Sequence, residues 1–354
     1  MPPRKNKAVR VNTAVKAAAV GGENGHLAGF SAASNPSTFQ TLPQELLLAI
    51  VHQLDLTERT LLSRRRHTFS WLCRATRQVS LPINWRSFDI FPTKLDPGRT
   101  QDASIAGAEN LERLSLFVIE CEHVQSLVRH VRIFLTRRRT SDVLPLFARA
   151  LQLLPNAETL DIPHVHTAMT THIKDGFRGC TFASIRHVLL QSWAHNIVRL
   201  CPNASSITIR AGQKDTSKVV SAIAEACPNV SEIKDFRLSD DNTLKRLVKA
   251  VPNLKVYTDS IGDMNIFKYL QKFKGIDCIK RTVSAAGRGD ENISKDIILA
   301  EPVLAAYIQE AWRFLRAQPN HVQGNSRVVI LYQRSVVGYW LRGEEVIWSH
   351  TIKV

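Results

Sequence analysis

The sequence predicts an α/β protein in which a short N-terminal helical unit precedes an irregular array of strand-plus-helix repeats and a C-terminal cap. The first observation is a rhythm of Pro-Asn pairs, which start at positions 155, 202, 228 and 252. The second is that a helical pattern of apolar residues precedes these pairs and a strand-like pattern follows them. The third is the segment "TLPQELLLAIVHQLDL" at 41–56, which is apolar around most of a helix.

Length and composition limit the class of protein. A chain of 354 residues exceeds the size at which one hydrophobic core usually stops growing, so two or more domains are expected. No apolar run reaches the roughly 18 residues that a membrane span needs, and the N-terminus lacks the apolar core of a secretory signal. The six cysteines form no CxxC pair, which favours a reducing compartment, the cytoplasm or the nucleus.

The net charge of +16 raises the question of nucleic-acid binding. Part of this charge lies in three basic runs, at 4–7, 64–66 and 137–139. Such runs are usually solvated faces or tails, and no zinc-finger spacing, RNP aromatic motif or KH loop accompanies them. Nucleic acid is therefore the less favoured partner.

The N-terminal part of the chain changes character at its first helix. Residues 1–40 are rich in small and polar residues and are expected to form a disordered basic leader. A helix should follow, because Thr41 and Gln44 match a capping box. Only Gln44, Glu45 and His52 make a polar stripe on it. A helix that is apolar nearly all round must be covered on nearly all sides, by its own domain or by a partner.

The repeats are expected to occupy 123–262, after a turn-rich linker at 89–122. Their strands carry apolar residues at positions 1, 4 and 6, as in Ala157, Leu160 and Ile162. The segment "FASIRHVLLQ" fills the slot between the first two Pro-Asn pairs. A helix, a Pro-Asn stop and an LxxLxL-like strand in each unit resemble leucine-rich repeats. The resemblance implies a curved solenoid, because each unit can bury its apolar face only against its neighbours.

Residues 263–354 depart from this rhythm and are expected to cap the array. The segment "EPVLAAYIQEAWRFLRA" predicts an amphipathic helix with Val303, Tyr307, Ala311 and Phe314 near one face. The segment after it predicts a β-hairpin.

The sequence was expected to carry a motif if it were a common type of enzyme or cofactor-binding protein. It carries no GxSxG elbow, Walker loop, HExxH or Rossmann fingerprint. His164, His166 and His172 lie close in sequence, but a metal centre would need a fourth ligand, so they are interpreted as loop residues. Cys201 and Cys227 occupy the same slot of adjacent repeats, which indicates a small buried position rather than a nucleophile. We expect a non-catalytic protein with no cofactor and no metal.

The opening block, 41–88, resembles an F-box of the kind that precedes leucine-rich repeats, notably in fungal proteins. The resemblance rests on apolar and aromatic positions and one acidic position: Leu42, Pro43, Glu45, Leu46, Leu47, Ile50, Leu54, Leu61, Leu62, Trp71 and Trp85. In that family the Leu-Pro helix packs into a groove on a Skp-type adaptor, which links it to a cullin ubiquitin ligase. The resemblance implies that all these positions except Trp85 bind the adaptor, as in helix-in-groove recognition. An ordinary core helix of one large domain is the alternative.

The resemblance also implies a receptor function, in which the repeats bind a target protein and other subunits transfer ubiquitin. Position 5 of each strand should face away from the core, and parallel stacking should align these residues as a strip. The expected target-binding residues are this strip and one neighbouring arginine: Asp161, Leu189, Thr208, Lys234, Thr258 and Arg186. Mixed charges and hydroxyls favour a protein surface over a nucleic acid. An adaptor-independent scaffold and a basic nucleic-acid binder are the alternatives.

Overall fold

The computed structural model describes residues 42–56, 74–90, 100–210, 216–236, 241–260, 262–284, 295–319, 326–336 and 343–354. Within these residues the chain is a mixed α/β protein built on an open sheet of ten mostly parallel strands. The α/β class predicted from the sequence is therefore confirmed. None of the described helices is long and apolar enough to cross a membrane.

Helices and strands alternate along most of the chain. The described helices are α1 (Gln44–Leu56), α2 (Arg74–Asn84), α3 (Thr100–Glu120), α4 (Glu122–Gln125), α5 (Thr140–Gln152), α6 (Thr170–Gly176), α7 (His195–Val198), α8 (Ser217–Ala226), α9 (Asp241–Ala250), α10 (Ile266–Leu270), α11 (Lys295–Leu299) and α12 (Pro302–Arg316). Short 3-10 turns, Thr167–Met169 and Ser192–Ala194, precede α6 and α7. The strands are β1 (Ser87–Ile90), β2 (His130–Phe134), β3 (Thr159–His164), β4 (His187–Leu190), β5 (Ser206–Ile209), β6 (Glu232–Lys234), β7 (Val256–Asp259), β8 (Cys278–Ser284), β9 (Arg327–Val336) and β10 (Gly343–Lys353).

Each strand lies beside the strand that follows it in sequence. Strands β1 to β9 are parallel, and β10 alone runs antiparallel, to β9. Parallel neighbours require a crossover connection. The crossover helices contact one another in turn, from α3 and α5 through to α8 and α9. The array therefore has two layers, a sheet and a row of helices.

The main core lies between these two layers. Its centre is a row of apolar side chains that pair in register on successive strands: Phe88, Val131, Leu160, Val188, Ile207, Ile233, Tyr257, Ile279 and Val328. Every member of this row is at most 2% exposed. Because burial of apolar surface is the main favourable contribution to folding, position 4 of each strand must be apolar in every unit. This requirement produces the spacing that the sequence shows.

The sheet begins earlier than the sequence predicts. Strand β1 lies at the end of the expected 41–88 unit and pairs with β2. The expected linker at 89–122 is a linker only in part, because it contains the 21-residue helix α3, which packs against α5. Small residues in α3 serve close packing rather than a turn. A Cβ added to Gly107 would lie 3.2 Å from Cγ2 of Thr136.

The sheet also continues further than predicted. Strand β4 fills the slot that lacks a Pro-Asn pair, as expected. The region 263–354 contains the predicted helix, α12, and the predicted hairpin, β9 with β10. It does more than cap the array, because β8 and β9 extend the parallel sheet. Tyr307, Ala311 and Phe314 lie on the buried face of α12 as predicted, whereas Val303 is 73% exposed and Leu304 is buried in its place.

Candidate functional site

The first candidate surface belongs to the N-terminal helical unit, in which α1 and α2 contact each other. Leu47 of α1 is 2% exposed and forms a small core with Val79 of α2. Partly buried apolar side chains pack around this pair: Leu42, Leu48, Ile50, Ala75 and Ile83. The cluster is separate from the main core. The unit therefore has a minimal core of its own.

The first turn of α1 presents an apolar surface. The carbonyl of Pro43 accepts the backbone N–H groups of Leu46 (3.1 Å) and Leu47 (3.2 Å), which fixes the start of the helix. Consecutive helical residues point about 100° apart, so Leu47 faces inward while Leu46 is 51% exposed. Pro43 and Glu45 are exposed beside it. Within the described residues, one side of this apolar helix is covered by α2 and another side is open.

The other residues expected to bind an adaptor lie in several environments. Leu42 and Ile50 are half-buried against the small core. Leu54 lies in α1. Three residues lie outside the described part of the chain: Leu61, Leu62 and Trp71.

Trp85, the last position of the F-box resemblance, connects the helical unit to the main core. Its ring stacks on that of Phe117 in α3, with centroids 4.9 Å apart and an angle of 11° between the planes. Stacked aromatic pairs of this kind contribute about 0.5–1.5 kcal/mol beyond the free energy gained from burying their surface area. Strand β1 begins only two residues further on. The unit is therefore attached to the sheet by a short, packed connection.

The second candidate surface is the face of the sheet that points away from the main core. Along it runs the position-5 row, which consists of Arg132, Asp161, Leu189, Thr208, Lys234, Thr258 and Lys280. These residues pair in register on β2 to β8, so the predicted alignment of the five central residues is confirmed. Arg132 and Lys280 extend the predicted row at its two ends, and in the same register Asp89 on β1 lies beside Arg132 and Val329 on β9 lies beside Lys280.

The position-5 row is less accessible than the sequence predicts. Asp161, Thr208 and Thr258 are only 7%, 8% and 2% exposed, and Leu189 and Lys234 are half-buried. Long side chains shield short neighbours on such a face, so pointing away from the core does not by itself give access to solvent. The predicted outward orientation therefore does not make these three residues a free binding surface.

Arg186, the sixth residue expected to bind the target, lies just before β4 and is exposed. Its guanidinium donates to the carbonyl of Asn203 at 3.3 Å. Side chains two residues apart in a strand share a face, so position 3 rather than position 2 flanks the row within the strands. His187 is the exposed position-3 residue of β4.

Asp161 is held by two arginines. Nε of Arg132 on β2 lies 3.0 Å from Oδ2 of Asp161. Arg210, directly after β5, donates to both carboxylate oxygens, with its Nε 3.2 Å from Oδ1. All three side chains are at most 23% exposed. Sequence reasoning missed Arg210, although a carboxylate between apolar strand residues indicates a cationic partner.

A second ion pair crosses the same face. Nζ of Lys280 on β8 lies 2.6 Å from Oε1 of Glu232 on β6, so the pair spans β7. Both side chains keep about a quarter of their surface exposed, at 28% and 26%. The face thus presents charges that are paired across strands, together with exposed cations at its margin.

At the ends of β6 and β7, aspartates replace the apolar residue of position 6. Asp235 has a φ of 61°, and its carboxylate accepts the N–H of Ser260 (2.8 Å) and its hydroxyl (3.0 Å). Asp259 accepts the N–H of Gly262 (2.8 Å) and pairs with Arg281 at 3.3 Å. These carboxylates are satisfied within the fold, so we interpret them as residues that close the strand ends.

The thiols of Cys201 and Cys227 are buried in the main core. Sγ of Cys227 donates to the carbonyls of Val198 and Cys201, each at 3.3 Å. Burial raises the pKa of both thiols, that of Cys227 to about 11, which disfavours a reactive thiolate. Within the described residues, no group of three His, Cys, Asp or Glu side chains is placed to hold a metal ion.

Comparison with known proteins adds no assignment: neither a protein-family model nor a curated protein matches this chain. The two surfaces therefore carry the functional conclusion. The first is a partly exposed apolar helix on a small core, and the second is a long sheet face with paired charges.

Proposed function

We propose that this protein is the substrate-recognition subunit of a cullin-type ubiquitin ligase. The F-box-like unit docks a Skp-type adaptor, the repeat array binds a target protein, and other subunits transfer ubiquitin. The observation that carries the proposal is Leu46, which is 51% exposed on a helix whose other side packs in a separate small core.

An exposed leucine at a helix start suits insertion into a groove. Moving a leucine side chain fully out of water stabilises a complex by about 1.5–3 kcal/mol, and roughly half of that is still available at Leu46. Exposed Pro43 widens the same apolar area, while exposed Glu45 offers a carboxylate at its rim. A helix with apolar anchors and a polar border is the usual ligand of a hydrophobic groove.

The sheet supports the receptor part of the proposal. Its strands follow one another in sequence order, and an apolar row recurs at position 4 from β1 to β9. Both features agree with a leucine-rich-repeat-like array, whose sheet face is the surface such arrays use for binding. The stacking of Trp85 on Phe117 would hold that face in a fixed relation to a bound adaptor.

The adaptor assignment is tested by measuring the affinity of the full chain for a purified Skp-type adaptor. Leu46→Asp should weaken binding by at least about 30-fold, equivalent to a hot-spot loss of about 2 kcal/mol, because a charge would enter a desolvated groove. Gln44→Asp adds the same charge to an exposed position of the same turn and should bind normally. Leu47→Asp is not a suitable variant, since Leu47 is 2% exposed and its replacement would unfold the small core.

Two results would contradict the assignment. One is unchanged adaptor affinity in the Leu46→Asp variant while circular dichroism shows an intact fold. The other is a lack of binding between the wild-type chain and any Skp-type adaptor, which would favour the hypothesis of an adaptor-independent scaffold.

The target assignment is tested with exposed cations at the margin of the sheet face. Arg186 and Lys255 are both exposed, one just before β4 and the other just before β7. Arg186→Glu combined with Lys255→Glu should reduce the capture of target proteins, because charge complementarity sets specificity and on-rate. Retained adaptor binding is the internal control. If capture is unchanged in this double variant and is lost only after substitutions in β10, the target surface lies on the C-terminal hairpin instead.

A further inference from the structure

A cleft of about 430 Å³ lies where β2 and β3 end. Its lining includes Ser104 of α3, Phe134 at the end of β2, Arg137 and Arg138 in the loop after β2, and His164 and His166 at and just beyond the end of β3. It lies apart from both surfaces described above.

The cleft concentrates positive charge that the described fold does not neutralise. Arg137 and Arg138 are exposed and line it. The third arginine of the run, Arg139, is paired with Glu112 through two contacts of 2.6 and 2.8 Å. No carboxylate is among the described residues that line the cleft. Two arginines that both line the cleft, with no acid among its described lining residues, favour an anionic ligand, and a planar guanidinium matches a phosphate in bidentate geometry.

The remaining walls add one hydrogen-bond donor and an apolar side. Nδ1 of His166 accepts the N–H of Ala168 at 3.1 Å, so a neutral imidazole carries its proton on Nε2. His164 stacks on Phe134, with ring centroids 4.5 Å apart. Burial, and after it the neighbouring His166, lowers the pKa of His164. At neutral pH this stack is therefore an uncharged wall, and the arginines supply the charge.

We propose that this cleft binds a phosphate monoester. The phosphate group lies between Arg137 and Arg138 and accepts a hydrogen bond from His166, while the carbon part of the ligand lies against Phe134 and His164. A volume of about 430 Å³ falls within the range of small-molecule sites and is far larger than a bare phosphate ion needs. The proposal does not depend on adaptor binding.

The test is calorimetric titration of the full chain with three probes: inorganic phosphate, O-phospho-L-serine and phenyl phosphate. Phenyl phosphate should bind at least about fivefold more tightly than inorganic phosphate, because its ring contacts the Phe134 side of the cleft. Arg137→Gln combined with Arg138→Gln should weaken binding of the monoesters at least about tenfold. The control is Arg113→Gln combined with Arg149→Gln, which removes the same charge from exposed positions on α3 and α5 that do not line the cleft.

The outcomes separate the possible ligands. Equal or tighter binding of inorganic phosphate would overturn the monoester assignment in favour of free phosphate. An equal loss in the control variant would show general charge attraction and overturn the site. Absence of binding by all three probes would also overturn it. Each result leaves the adaptor proposal untouched, because no adaptor is present.

Discussion

Asp161 lies in the middle of the sheet face, yet only 7% of its surface is exposed. Arg132 and Arg210 both pair with its carboxylate, so removal of this negative charge would leave two partly buried cations with less compensating charge. The substitution most natural from the sequence, reversal of Asp161 with Arg186 and Lys234, would therefore disturb the fold together with the surface. Exposed cations provide the cleaner test.

We predict that Asp161→Asn lowers the free energy of unfolding by about 2 kcal/mol, because it removes the ion pair with Arg132 and the charge-assisted hydrogen bonds from Arg210 at a partly buried site. Asp175→Asn is the matched control. Asp175 pairs with Arg178 at the surface, where both side chains are more than half exposed, at 54% and 77%, so its loss should cost less than about 0.5 kcal/mol. Urea denaturation of both variants measures the difference. Equal costs would mean that the Asp161 network does not stabilise the sheet.

At the scale of single elements, apolar spacing predicted the strands better than the helix faces. Position 4 must be apolar in each strand, so Leu160, Val188 and Ile207 could be identified directly. The face of α12 could not be fixed in the same way, because Val303 and Leu304 are adjacent apolar residues at its start and the packing of the whole sheet decides which one turns inward. α3 was missed for a related reason, since small residues that permit close packing resemble a turn.

We predict that Leu304→Lys lowers the free energy of unfolding by more than about 3 kcal/mol, because it places a charge at a site that is 5% exposed. Val303→Lys should change it by less than about 0.5 kcal/mol, since Val303 is 73% exposed. The two variants carry the same new side chain on adjacent residues of one helix. Thermal unfolding followed by circular dichroism compares them, and a reversed order would contradict the observed orientation of α12.

At the scale of the whole molecule, the described residues form two hydrophobic clusters of very different size. The larger one extends from β1 to the C-terminus, and the smaller one joins α1 and α2. The sequence analysis expected a separate helical unit from the apolar first helix and a repeat array from the later Pro-Asn rhythm. It did not predict that the sheet starts at β1, because a four-residue strand directly after α2 has no repeat signal of its own. The candidate target face was predicted in its register but not in its burial, which depends on side chains brought together from several strands.

The division into an adaptor-binding unit and a separate sheet face is the central claim, and hydrogen–deuterium exchange of the full chain with and without a Skp-type adaptor tests it most directly. Amides of α1 and α2 should become protected, because adaptor binding would suppress local opening of the small core around Leu47 and Val79. Amides of β2 to β8 should be unchanged, since the adaptor does not touch the sheet face. Protection on these strands with none in α1 and α2 would contradict the account.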